Sequence, residues 1–183
     1  MPSRDATLVR TGKRVETHPL EELYRLAREL CPDSFTAEET QTLGRLREHV
    51  TVAYLDRLRH ELAEKLDLPI ALFDPDRFSI QACGPISLHD DRFRCPNVYF
   101  VIVIAHAGCL GVTDARCQAR RHESGDILLL DPRKKHALVP DGLRARDYPY
   151  ERTHSPVRDE NTQFLFLDFE VPRPPLRAWF RSQ

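Results

Sequence analysis

The sequence predicts a mostly β protein with helices at its N-terminal end, its core an antiparallel sandwich or barrel of the jelly-roll kind. Three observations predict this. Leucines at helical spacing are confined to the stretch before Pro69. After Pro75 come about eight short runs rich in β-branched and aromatic residues, separated by Gly, Pro and Asp. These runs follow one another closely, with no helical stretches between them and no internal repeat, which fits antiparallel rather than parallel pairing.

Taken in order, residues 1–17 are charged with little periodicity and predict a flexible, loosely docked arm. Leu20, Leu23, Leu26 with Ala27, and Leu30 recur at helical spacing, so residues 18–31 read as a helix with Pro19 in its first turn. Pro32-Asp33-Ser34 breaks it. Thr36 and Glu39 have capping-box spacing and predict the start of a second helical region. Its apolar face runs through Leu43, Leu46, Val50, Leu58, Leu62 and Leu66, with a bend near Gly44 and an end at Pro69. Residues 18–74 are thus a supporting helical segment and residues 75–183 the β core.

Within that core, residues 78–82 and the segment around Leu88 read as strands. Residues 98–104 have the apolar run of a fully buried central strand. Short strands are predicted over 110–113, 127–130 after the Gly125-Asp126 turn, 136–139 and 164–169. Residues 118–123 alternate as an edge strand would. The segment 140–161 is long, charged and carries Tyr148 and Tyr150. A loop of that length in a small domain is usually functional or disordered, and the tyrosines make it a candidate lid.

Composition narrows the function. The chain has 183 residues, 41% hydrophobic and 30% charged, the size and balance of one globular core. Lys and Arg number 27 against 28 Asp and Glu, a net charge of −1, which argues against a nucleic-acid binder built on phosphate contacts. The near-apolar stretch 98–110 is too short to cross a bilayer. The charged start has no apolar core behind it and argues against a signal peptide. Five cysteines with no CxxC argue against a disulfide framework or zinc finger and for reduced thiols in a cytoplasm.

The sharpest local feature is His89-Asp90-Asp91. On a strand, residues two apart share a face, so His89 and Asp91 would present an imidazole and a carboxylate side by side. Asp90 would serve instead if the register slipped by one, but it would then face away from His89. His136, at the start of a later strand, would complete two imidazoles and one carboxylate if the strands are neighbours. That set leaves about three positions open on an octahedral metal and suits Fe(II) that must bind O2 and a substrate together. A bidentate 2-oxo acid could supply the remaining donors.

Taken together, Gly84-Pro85 ahead of His89-x-Asp91, Gly111 with Asp114, and Gly125-Asp126-Ile127-Leu128-Leu129-Leu130 ahead of His136 resemble the double-stranded β-helix of the Fe(II)/2-oxoglutarate-dependent dioxygenases. The compact prolyl-hydroxylase-like members are the most similar, over residues 78–170. The resemblance implies a catalytic core in which His89, Asp91 and His136 hold iron. Oxidative decarboxylation of 2-oxoglutarate with O2 would then drive hydroxylation of a substrate C–H, the substrate a small molecule of amino-acid type. The chain departs from the family at the cosubstrate anchor. The last strand begins Asn161-Thr162-Gln163, without the usual basic residue. Arg144 and Arg146, 8 and 10 residues past His136, and Arg158, just ahead of the last strand, are three alternatives for an Arg fork on the distal carboxylate. Two rival readings stand beside this one. The first is a cupin-like metal enzyme that does not use 2-oxoglutarate; the second is a non-catalytic ligand-binding barrel.

The other residues that could carry chemistry have plainer readings. His106, His122 and His154, and the helical-region His18, His49 and His60, are expected to be structural or solvent-facing. Cys83, Cys95 and Cys109 are expected to be buried, inert thiols. Arg116, Arg120 and Arg121 are expected to form a solvated face protecting a sheet edge.

Overall fold

The structure, a computed structural model, describes residues 7–37, 39–148 and 160–182. The chain opens with strand β1 (Leu8–Arg14), helix α1 (His18–Leu30), a two-residue strand β2 (Gln41–Thr42), a single turn α2 (Gly44–Arg47) and helix α3 (Val52–Leu66). The β core follows as β3 (Phe78–Cys83), β4 (Ile86–His89), β5 (Val98–His106), β6 (Leu110–Asp114), β7 (Asp126–Leu130), β8 (His136–Pro140) and β9 (Phe164–Pro172), closed by helix α4 (Arg173–Ser182).

Two antiparallel sheets result, one ordered β1-β7-β5-β9-β3-β2 and the other β4-β8-β6. From β3 to β9 each successive strand lies in the opposite sheet. This alternation is the winding of a double-stranded β-helix, and it places the ends of β4 and β8 together although they are far apart in the chain.

The central strands β5 and β7 of the large sheet are buried on both faces, which is why they are apolar almost throughout. Along β5 the period of two separates the faces. Val101, Val103 and Ala105 pack with the helices, and Ile102 and Ile104 pack with Leu110, Val112 and Leu138 of the small sheet. The helical cover is supplied by Leu20, Leu23 and Ala27 of α1 and by Leu55, Leu58, Leu62 and Leu66 of α3, all buried. At the end of α3, Asp67 turns into the left-handed region (φ 53°), and Leu68 N–H bonds back to the Ala63 carbonyl at 2.9 Å.

Three elements differ from expectation. Residues Leu8–Arg14 are an edge strand rather than a flexible arm. They pair antiparallel with β7, with Leu8 opposite Leu130, so an otherwise bare edge of the large sheet is covered. Their exposed charged side chains hid this from periodicity. Thr36 caps no helix, because its hydroxyl donates back to the Asp33 carbonyl at 2.9 Å. The cap that operates is Thr51, whose side chain accepts from Tyr54 N–H at 3.1 Å and starts α3. Residues 118–123 form no strand; Gln118 makes an isolated bridge to Arg144, and His122 bonds to β6 through its N–H to the Leu110 carbonyl and its ring to Val112 N–H. The chain passes so close at Gly111 that a side chain there would collide with the Arg120 carbonyl.

The Gly125-Asp126 turn has a physical reason. Gly125 sits at φ +89°, and a Cβ there would come within 2.6 Å of the Val15 carbonyl. Asp126 then accepts from Glu123 N–H at 2.9 Å as β7 begins. At the far end, Arg173 ties α4 to the sheet. Its two terminal nitrogens reach the two Asp131 carboxylate oxygens at 2.8 and 2.9 Å, and its guanidinium lies 4.1 Å from the Tyr99 ring centroid.

Candidate metal centre and cavity

His89 ends β4 and His136 begins β8, and the two are direct cross-strand partners. The register shifts between the Ile86–Leu138 and His89–His136 pairs, a bulge that sets the two rings side by side. Their centroids are 4.4 Å apart at 57°. Asp91 lies just beyond the strand rather than on it. Its N–H bonds to the Pro132 carbonyl at 2.7 Å, which pins the loop after β4 against the loop before β8. Asp91 Oδ2 then stands 3.7 Å from His89 Nε2 and 3.5 Å from His136 Nε2. Asp90 points elsewhere, into a two-point pair with Arg92 at 2.7 and 2.8 Å.

The tautomers follow from the hydrogen bonds. His89 Nδ1 is 2.8 Å from the Ser87 carbonyl and His136 Nδ1 is 2.8 Å from the Lys134 carbonyl. A carbonyl only accepts, so each Nδ1 carries a proton, and each Nε2 is the ring position left to meet Asp91 or a metal ion. Burial, and the neighbouring His136, push the His89 imidazole toward its neutral form. The contact with His136 holds the Asp91 carboxyl below its ordinary range, in the anionic form. Two imidazole Nε2 atoms and one carboxylate oxygen, all within 4.8 Å of one another, are a donor set that fits a divalent transition metal with open positions. It is the one such group of three among the described residues.

The triad opens into a cavity of about 240 Å³ between the two sheets. Apolar residues Phe100, Ile102, Leu130, Leu138 and Phe166 form much of its wall. Across from the triad, the β3–β9 wall is polar. Ser79 and Asp168 are register partners there. Asp168 is 2% exposed, and its Oδ1 accepts from the Ser79 hydroxyl and from Gln81 Nε2, the latter at 3.1 Å. Burial pushes the Asp168 carboxyl up to about 6, against the hydrogen bonds from Ser79 and Gln81. Glu170, two residues on, lines the same wall.

Of the candidate anchors, Arg144 and Arg146 are exposed and do not line the cavity; Arg146 pairs with its neighbour Asp147 at 3.7 Å. Arg158, Tyr150 and His154 lie outside the described residues. Among the described residues the basic side chain on the cavity lining is Arg94, which sequence reasoning missed. Its signal was position, three residues past Asp91 in the same loop. Asp168 was missed too, although a carboxylate inside the run Phe164-Leu165-Phe166-Leu167-Asp168-Phe169 breaks the apolar pattern. Tyr148 packs by Ala119, Ala137, Val139 and Ala145 on the outer face of the small sheet, away from the cavity lining.

The remaining histidines are placed in structural settings. His106 stacks on Tyr24 with centroids 3.7 Å apart, and buried His122 accepts from Val112 N–H at 3.1 Å. Among the cysteines, Cys83 is buried on the cavity wall, and Cys95 and Cys109 are half-buried.

The sequence matches no protein-family model and no curated protein. Among solved structures, the chain is similar to EvdO2 from Micromonospora carbonacea var. aurantiaca, at 12% identity and a TM-score of 0.49 over 94% of this chain and 90% of that one. It is also similar to a Pseudomonas putida prolyl-4-hydroxylase, at 13% identity and a TM-score of 0.48 over 91% and 92%. No helix among the described residues is long and apolar enough to cross a membrane.

Proposed function

We propose that this chain is a ferrous-iron oxygenase that takes O2 and 2-oxoglutarate and hydroxylates a small molecule held between its sheets. The observation that carries the reading is the convergence of His89, Asp91 and His136 at the cavity, with both Nδ1 protons committed to carbonyls so that both Nε2 atoms are left beside the carboxylate. Iron, when bound, would couple decarboxylation of the 2-oxo acid by O2 to C–H hydroxylation, giving CO2, succinate and the alcohol.

The chain's own residues have separable parts. His89, Asp91 and His136 would hold the ion from one side, leaving the cavity side open. Asp91 contributes one negative charge, so a second anionic donor is accommodated without excess charge. Arg94, in place of Arg144 and Arg146, would pair with the distal carboxylate of the cosubstrate. Phe100, Ile102 and Leu130 keep water from the reacting carbon. One observation favours the second reading, a cupin-like metal enzyme without 2-oxoglutarate: Asp168 and Glu170 sit where a dicarboxylate deeper in the cavity would be repelled.

Anaerobic titration separates the two. The oxygenase reading expects a weak visible charge-transfer band that needs both Fe(II) and 2-oxoglutarate, with Arg94→Leu raising the 2-oxoglutarate concentration required. Fe(II) binding with no band at any 2-oxoglutarate concentration would decide for the cupin-like reading.

A further inference from the structure

The wall opposite the triad carries a different chemistry. Asp168 and Glu170 lie two apart on β9 and therefore share its cavity face. They are set among aromatic side chains, since Phe100, Phe164 and Phe166 line the same cavity. Two neighbouring carboxylates drawn out of bulk water are costly unless a counter-charge meets them. Ser79 and Gln81 supply neutral donors only, and both go to one oxygen of Asp168. Arg94, the basic lining residue among those described, comes from the loop that carries Asp91. Aromatic faces beside carboxylates are the surroundings that an organic ammonium seeks, because ring quadrupole and anion attract it together.

We infer that the β3–β9 wall, through Asp168 and Glu170 with the flanking phenylalanines, binds a primary ammonium group of the substrate. The inference rests on the oxygenase reading for the word substrate, and it deepens that reading by naming an amine-bearing molecule. An ammonium held at this wall would leave the carbon chain to run along Phe100 and Ile102 toward the triad. Glu170 is half-buried and Asp168 buried, so the ammonium would stay hydrogen-bonded while most of its water is removed.

Saturation-transfer NMR on the metal-free full chain tests this without turnover. The probes are n-butylamine and L-ornithine against butan-1-ol, all at one pH above 7. The amines are expected to give transfer and butan-1-ol none. Glu170→Gln is expected to weaken the amines about tenfold, and Asp168→Asn at least as much. Should Asp168→Asn fail to fold, Glu170→Gln alone decides. Amines that bind no better than butan-1-ol, or that bind Glu170→Gln as they bind the parent, overturn the inference. Fe(II) titration of the same samples reports separately on the triad. Loss of amine binding with intact metal binding, or the reverse, shows which of the two ideas has failed.

Discussion

Strand β9 has two faces that do opposite work. Leu165, Leu167, Phe169 and Val171 join the core under the helices, and all are buried without a polar atom in the side chain. Phe164, Phe166, Asp168 and Glu170 alternate with them and face the cavity. The first face is selected for volume alone. The second keeps two carboxylates in an apolar setting, which no packing argument favours. The difference teaches that in this fold a site is found by looking for the positions where the period of two is kept and apolarity is not.

The comparison can be broken at either face. The largest expected effect belongs to the triad across the cavity. His136→Ala should lower metal affinity by more than the roughly 10–100-fold that loss of an outer hydrogen bond costs, with the thermal midpoint of the metal-free chain little changed. Direct metal titration and calorimetry read the two quantities. On the helix face, Phe169→Ala should destabilise the chain by about 3–5 kcal/mol in a denaturant titration and leave metal affinity per folded molecule unchanged. A variant with normal stability and weakened metal binding would blur the division between faces.

A smaller effect is expected at Arg173. Its pair with Asp131 fixes α4 at the end of β9, and Arg173→Ala should cost about 2 kcal/mol of stability, read by denaturant unfolding.

The smallest effects are in pH dependence, and two groups act with opposite sign. Burial raises Asp168 from 3.8 to about 6, so its contribution to stability is full below 3.8 and is lost as pH rises through about 6. Burial lowers His122 from 6.5 to about 3, so its contribution is full above 6.5 and is lost as pH falls toward 3. Between about pH 4 and 6 the two trends offset each other. Asp168→Asn should therefore make stability climb more steeply with pH in this window, and His122→Gln should make it climb less. Urea midpoints measured every half pH unit would show the crossing.

Much of this was legible before any coordinates. Strands β5, β7, β8 and β9 announce themselves as apolar runs because most of their residues are buried, whereas β4 is half-buried along its length. His89, Asp91 and His136 were legible as a set, though the stated reason was partly mistaken. Asp91 does not share a strand face with His89; a loop pinned by the Pro132 carbonyl turns it back. What stayed hidden was set by partners distant in the chain. β1 is a strand only because β7 offers an open edge, so its own charged pattern reads as an arm. Asp168 meets the triad's cavity because β9 winds back beside β3, a pairing between residues far apart in the chain. Arg144 and Arg146 suited the anchor by distance along the chain, but the short turn that carries them lies on the outer side of the small sheet.

The most direct test is anaerobic calorimetric titration of the metal-free full chain with Fe(II), run beside His89→Ala, Asp91→Ala and His136→Ala. The account predicts one ion per chain in the parent and a loss of affinity beyond about a hundredfold in each variant, all three remaining folded. Undiminished Fe(II) binding in any one of these folded variants, or none in the parent, would contradict it.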